Sequence, residues 1–109
     1  MAHINKQQKV VCVCRYGQVR SVCARFILTR IYSFRKVIAC GWENTDVETL
    51  AMLFKWADVV MVVGRPSDWN LPTPPEKTVH LEVGADEWGD YRHPKLIGRV
   101  LGHLIQLVT

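Results

Sequence analysis

Hydrophobic and polar positions follow two rhythms along this chain. The residues from Lys9 to Cys14 form a short valine-rich run in which no polar position interrupts the β-branched residues, as in a strand buried on both faces. The run ends at the glycine-containing turn Arg15-Tyr16-Gly17-Gln18. Val22, Cys23, Phe26, Ile27 and Ile31 then recur at helical spacing, which predicts a helix over 19–32 with those residues as its apolar face. Val37 to Cys40 reads as a second strand. Thr45 and Glu48 have the spacing of a capping box, so a second helix is expected from there through Leu50, Leu53, Phe54 and Trp56, closed by Asp58. Val59 to Val63 and Thr78 to Val83 are the third and fourth strands. Between them, 64–77 carries four prolines (Pro66, Pro72, Pro74, Pro75) and no periodicity, and reads as an irregular surface loop. After a polar and aromatic stretch, Pro94 stands where a last helix can begin, ahead of Leu96, Val100, Leu101, Leu104 and Val108.

Strands alternating with helices predict an α/β domain over 1–109: a four-stranded parallel sheet, flavodoxin-like, with helices on both faces. The length and the 49% hydrophobic content are sufficient for one buried core. Ligands of such sheets bind at the carboxyl ends of the strands, the edge on which Arg15, Gly64 and Gly84 fall. No apolar run approaches the roughly 20 residues of a membrane-spanning helix. The opening Met1 to Gln8 is polar and has no secretory-signal pattern, so a cytoplasmic protein without a membrane partner is expected.

Charge and cysteines narrow the chemistry. The net charge of +4 favours anionic partners, but Arg15, Arg20, Arg25, Arg30 and Arg35 recur every five residues and so rotate around a helix. That spacing gives no single basic face, and nucleic-acid binding is not indicated. The four cysteines (Cys12, Cys14, Cys23, Cys40) read as thiols in a non-secreted chain. Their spacing matches no zinc site, and no metal or cofactor is expected.

The residues that carry chemistry are Cys14-Arg15-Tyr16-Gly17-Gln18-Val19-Arg20-Ser21. Five residues separate the cysteine from the arginine, a spacing that chance produces easily. Its setting is more telling, because a loop that leaves a strand and feeds the first turn of a helix presents unpaired N–H groups and the positive end of the helix dipole. An oxyanion is held there by Arg15, Tyr16, Gly17, Gln18, Val19, Arg20 and Ser21. A Cys14 thiolate is placed to attack phosphorus, and the planar Arg20 guanidinium to grip two phosphoryl oxygens. Ser21 is placed to donate its hydroxyl to the sulfur, and Gly17 suits a loop that needs positive φ. The bland alternative is an inert buried thiol in a strand.

This segment resembles the phosphate loop of protein tyrosine phosphatases, with cysteine, five residues, arginine and serine all present. Its place after the first strand, near the amino terminus, resembles the low-molecular-weight type and its small bacterial and phage relatives. The stretch Trp56-Ala57-Asp58-Val59-Val60-Met61-Val62-Val63 resembles the helix-to-strand passage of those relatives. Tyr16 and Gly17 depart from the glycine and asparagine usual in the low-molecular-weight enzymes. The resemblance implies a phosphatase-like fold, a phosphocysteine intermediate and an aspartate general acid in the loop after the fourth strand. Asp86 is the first candidate for that acid, followed by Asp90. The family's Asp-Pro pair is missing, and His93-Pro94 in its place makes His93 the third.

Trp88 and Tyr91 flank those acids and suit an aromatic wall, as Tyr16 suits the pocket mouth. Trp42 and Trp69 read as loop and core packing, and Trp56 as core. The expected activity is that of a cysteine-dependent phosphomonoesterase, a tyrosine phosphatase acting on a phosphorylated protein or a small phosphomonoester. The alternatives are a non-catalytic phosphate-binding protein, an arsenate reductase, which lacks a well-placed pair of later cysteines, and a phosphocarrier, which Arg20 argues against.

Overall fold

In the computed structural model, which describes residues 3–85 and 87–108, four strands form one sheet: β1 (Val10–Cys14), β2 (Val37–Gly41), β3 (Val59–Gly64) and β4 (Thr78–Glu82). All are parallel, in the spatial order β2-β1-β3-β4, the flavodoxin-like arrangement the alternation predicts. The register pairs Val10 with both Val37 and Val59, so β1 is flanked on each side and every one of its residues is buried. Three helices connect and cover the sheet: α1 (Arg20–Arg30), α2 (Val47–Trp56) and α3 (Pro94–Leu107).

The pleat sends alternate residues of β1 and β3 into two cores. On one face Val10, Cys12, Val59 and Met61 pack with Ile27 and Leu28 of α1 and with Leu96, Val100 and Leu104 of α3. On the other, Val11, Val13, Val60 and Val62 pack with Leu50 and Phe54 of α2. The chain's two ends meet where Ile4, fully buried, bridges in parallel to Val108.

Several boundaries and faces differ from the expected ones. Helix α1 turns inward a face made of Arg20, Ser21, Cys23, Ala24, Ile27 and Leu28, while Val22 and Phe26 are half-buried and Ile31, past the helix end, is 56% exposed. Apolar residues lie all round this helix, so apolar spacing alone does not select the buried side. The cap of α2 is Asp46 rather than Thr45. The Asp46 carboxylate accepts from the Thr49 N–H at 3.1 Å and from the Thr49 hydroxyl at 2.6 Å, and Glu48 supplies charge to the first turn instead of closing a box. Asp58 lies one residue beyond the helix's C-cap, where it accepts from the Lys9 N–H at 2.9 Å and so ties the start of β3 to that of β1. The proline-rich segment contains two short 3-10 turns, Pro66–Asp68 and Pro75–Lys77. His93 caps α3, its Nδ1 accepting from the Lys95 N–H. No helix among the described residues is long and apolar enough to cross a membrane.

Candidate functional site

Because β1 lies between β2 and β3, and the connections after β1 and β2 leave to opposite faces, the carboxyl end of β1 opens at the point where the winding reverses. Cys14 is its last residue and is 1% exposed. The loop 15–19 then curls over the strand end before α1 begins. Its shape is held from the neighbouring β2 edge: the Trp42 N–H donates to the Cys14 carbonyl at 3.1 Å, the Glu43 N–H to the Arg15 carbonyl at 2.9 Å, and the Asn44 side-chain amide to the Tyr16 carbonyl at 2.7 Å. Gly17 has φ +70, and a Cβ there would stand 2.4 Å from the Gly41 nitrogen. Two glycines, one in the loop and one ending β2, thus let two backbones touch where no side chain fits.

The curl brings two groups to the Cys14 sulfur. The Gly17 N–H donates to Sγ at 3.2 Å, and Sγ lies 3.2 Å from the hydroxyl oxygen of buried Ser21, to which the thiol donates. When the sulfur is ionised, the same hydroxyl turns to donate. Tyr16, Gln18 and Val19 donate their backbone N–H groups to no acceptor among the described residues, as is usual ahead of the first turn of a helix.

Arg20, the first residue of α1, is 1% exposed, and its guanidinium is fixed from one end. Nη1 donates to Asp68 Oδ2 at 2.9 Å and to the Gly84 carbonyl at 3.0 Å. Asp68 is itself held by the Arg65 N–H at 3.2 Å. The pair fits because β3 ends in Gly64: a Cβ there would stand 2.6 Å from Asp68 Oδ2 and 2.9 Å from Arg20 Nη1. Nε, by contrast, is buried and has no hydrogen-bond partner. A buried N–H of a cation with nothing to bind is costly, and an anion set against that edge of the fork would satisfy it.

The structure therefore brings Gly17 and Ser21 to the Cys14 sulfur and fixes Arg20, the next residue after the loop, through Asp68 and Gly84, while Arg15 and Tyr16 are exposed on the loop, Tyr16 at 41%. Asp86 lies outside the described residues. Asp90 is exposed and accepts from the Arg92 N–H at 2.9 Å, and His93 serves as the cap of α3 against Trp88, its ring centroid 5.2 Å away. Trp88 and Tyr91 do not form an aromatic wall: Trp88 is buried in the α1/α3 core, and half-buried Tyr91 packs edge-on against Phe26 at 5.7 Å. Trp42, Trp56 and Trp69 pack against the α2 core, Trp69 also meeting the His80 ring at a 40° tilt with centroids 4.3 Å apart.

Asp68 is the site residue that the sequence reading missed. Its signal was its position, four residues past the glycine that ends a central parallel strand, at the edge where such sheets bind ligands. The other three cysteines are held as thiols by burial: Cys12 well above the ordinary range, Cys23 pushed up to about 12 and Cys40 to about 11. Among the described residues, no group of three His, Cys, Asp or Glu side chains is placed to hold a metal.

A parallel α/β sheet with a cysteine-containing loop at its winding reversal is the class of protein these features define. Comparison of the chain with protein-family models, curated proteins and solved structures found no match.

Proposed function

We propose that the protein is a cysteine-dependent phosphomonoesterase of the low-molecular-weight tyrosine phosphatase type, working through a phosphocysteine at Cys14. The observation that carries this reading is the guanidinium of Arg20, the residue that follows the Cys14 loop, locked by Asp68 and Gly84 at Nη1 and left with a buried, unpartnered Nε. A phosphoryl group bound by the loop amides and the free edge of Arg20 would lie against that sulfur. The Cys14 thiolate attacks phosphorus and the bond to the leaving oxygen breaks, while a general acid gives that oxygen its proton. Asp86 is the acid that the sequence favours. Water then attacks the phosphocysteine, the same carboxylate takes its proton, and the sulfur leaves as a thiolate stabilised by the Ser21 hydroxyl and the Gly17 N–H. Inorganic phosphate is released.

A second reading, a phosphate-binding protein without turnover, is favoured by one observation. Both described acid candidates are engaged locally, Asp90 with Arg92 and His93 as a helix cap.

Hydrolysis of para-nitrophenyl phosphate separates the two readings. The native protein should turn it over. Cys14→Ser should abolish turnover, and Arg20→Lys, which keeps the charge but loses the planar fork, should reduce kcat/KM by about a hundredfold or more. Asp86→Ala should lower the rate in part, because nitrophenolate leaves without strong acid assistance. A native protein that binds vanadate at the loop but releases no nitrophenol is a binding protein.

A further inference from the structure

Beside the loop a cleft of about 450 Å³ runs between the segment after β2 and the segment after β3. Arg15 of the phosphate loop and Asp68, the partner of Arg20, are both in its walls, so it is continuous with the site. Its polar part has Arg65, Ser67 and Asn70. It shares Trp42, Leu71 and Pro72 with a second hollow of about 270 Å³, completed by Thr45 and by Val47, Leu50, Ala51 and Phe54 of α2. That hollow is apolar apart from Thr45, and Val47 at its edge is 82% exposed. A lone phosphoryl group needs none of this space, since clefts of several hundred Å³ accommodate much larger ligands.

We propose that this composite cleft receives the peptide chain flanking a phosphorylated residue and seats one of its large apolar side chains between Trp42, Leu71 and Val47. The inference rests on the phosphatase reading and narrows its substrate from phosphomonoesters in general to phosphopeptides of a stated kind. The polar stretch suits a peptide backbone, because Asn70 and Ser67 offer both donors and acceptors and Arg65 offers donors alone. The apolar stretch suits an aliphatic or aromatic side chain and not a ribose or a base, whose polar edges would find a single hydroxyl there.

The test compares kcat/KM for two phosphotyrosine peptides, one with leucines beside the phosphotyrosine and one with glycines, alongside para-nitrophenyl phosphate and a nucleoside monophosphate. The native protein should favour the leucine peptide by about tenfold or more, the worth of one buried apolar side chain. Val47→Asp and, separately, Leu71→Asp should erase that preference and leave nitrophenyl phosphate turnover as it was. Equal rates for the two peptides, or a preference untouched by both variants, overturn the inference, as does a nucleotide that outruns both peptides and is slowed by Val47→Asp. If nitrophenyl phosphate is not hydrolysed at all, the phosphatase reading fails by itself. Binding of the same two peptides, fluorescein-labelled, then decides the cleft: tighter binding of the leucine peptide, lost in Val47→Asp, supports it, and equal affinities overturn it.

Discussion

Arg20 shows how one side chain can be both a structural liability and the centre of the proposed site. Burying a guanidinium is costly unless its donors are matched, and Asp68 with the Gly84 carbonyl matches only one end of the fork. Removing Asp68 leaves a buried, uncompensated cation. Asp68→Ala should therefore lower stability by about 3–5 kcal/mol in urea unfolding. The isosteric Asp68→Asn should keep the fold and weaken vanadate binding, because it loosens the guanidinium that the anion meets. Wild-type stability in Asp68→Ala would mean that the pair is not a buried ion pair in solution. Cys14, Gly17, Arg20 and Ser21 could be singled out in the sequence because they fall within one stretch of eight residues, and strand, glycine turn and helix can be read around them. Asp68 could not, since it reaches Arg20 across 48 positions from a proline-rich loop that offers no periodic signal.

Among the elements, those with one apolar rhythm were read best. β1 and β3 are buried along their whole length, and an unbroken valine-rich run permits no other placement. α1 was misjudged because its inward face includes Arg20 and Ser21 beside Cys23, Ala24, Ile27 and Leu28, and polar residues in an inward face are not selected by apolar patterning. Trp88 and Tyr91 were mistaken for ligand walls because a loop aromatic looks the same in sequence whether it faces a pocket or a core. The cap of α2 slipped by one residue because Thr45 and Asp46 are both good N-caps and only the bond to Thr49 decides between them.

The same elements carry a pH prediction. Cys12 and Cys40 in β1 and β2 and Cys23 in α1 all titrate higher when folded, chiefly because burial disfavours the thiolate. A folded-state pKa above the unfolded thiol value contributes stability that is complete below about pH 8.5 and is lost as pH rises toward 11 to 12. The urea midpoint should therefore fall steadily from pH 8.5 upward. A midpoint that stays flat to pH 11 would show that these thiols ionise as readily in the folded chain as in the unfolded one.

At the scale of the whole molecule, the parallel order β2-β1-β3-β4 with α2 opposite α1 and α3 brings three strand ends to one edge. β1 supplies the loop, the end of β3 leads to the Asp68 clamp, and the end of β4 leads to the Gly84 carbonyl that shares Arg20. This convergence was legible as a fold, because alternating strands and helices leave few ways to wind a parallel sheet. The contacts across the edge were not, since they depend on loop lengths and on close approaches at Gly17, Gly41 and Gly64 that spacing does not encode. The account stands or falls on whether Cys14 carries phosphate during turnover. Rapid quenching of the protein in denaturant at alkaline pH, where a phosphocysteine survives, during hydrolysis of para-nitrophenyl phosphate, followed by mass spectrometry of the peptide containing Cys14, measures this directly. The account predicts one added phosphoryl group on that peptide, on the cysteine, and none in Cys14→Ser. Steady turnover with an unmodified Cys14, or turnover that survives Cys14→Ser, would contradict it.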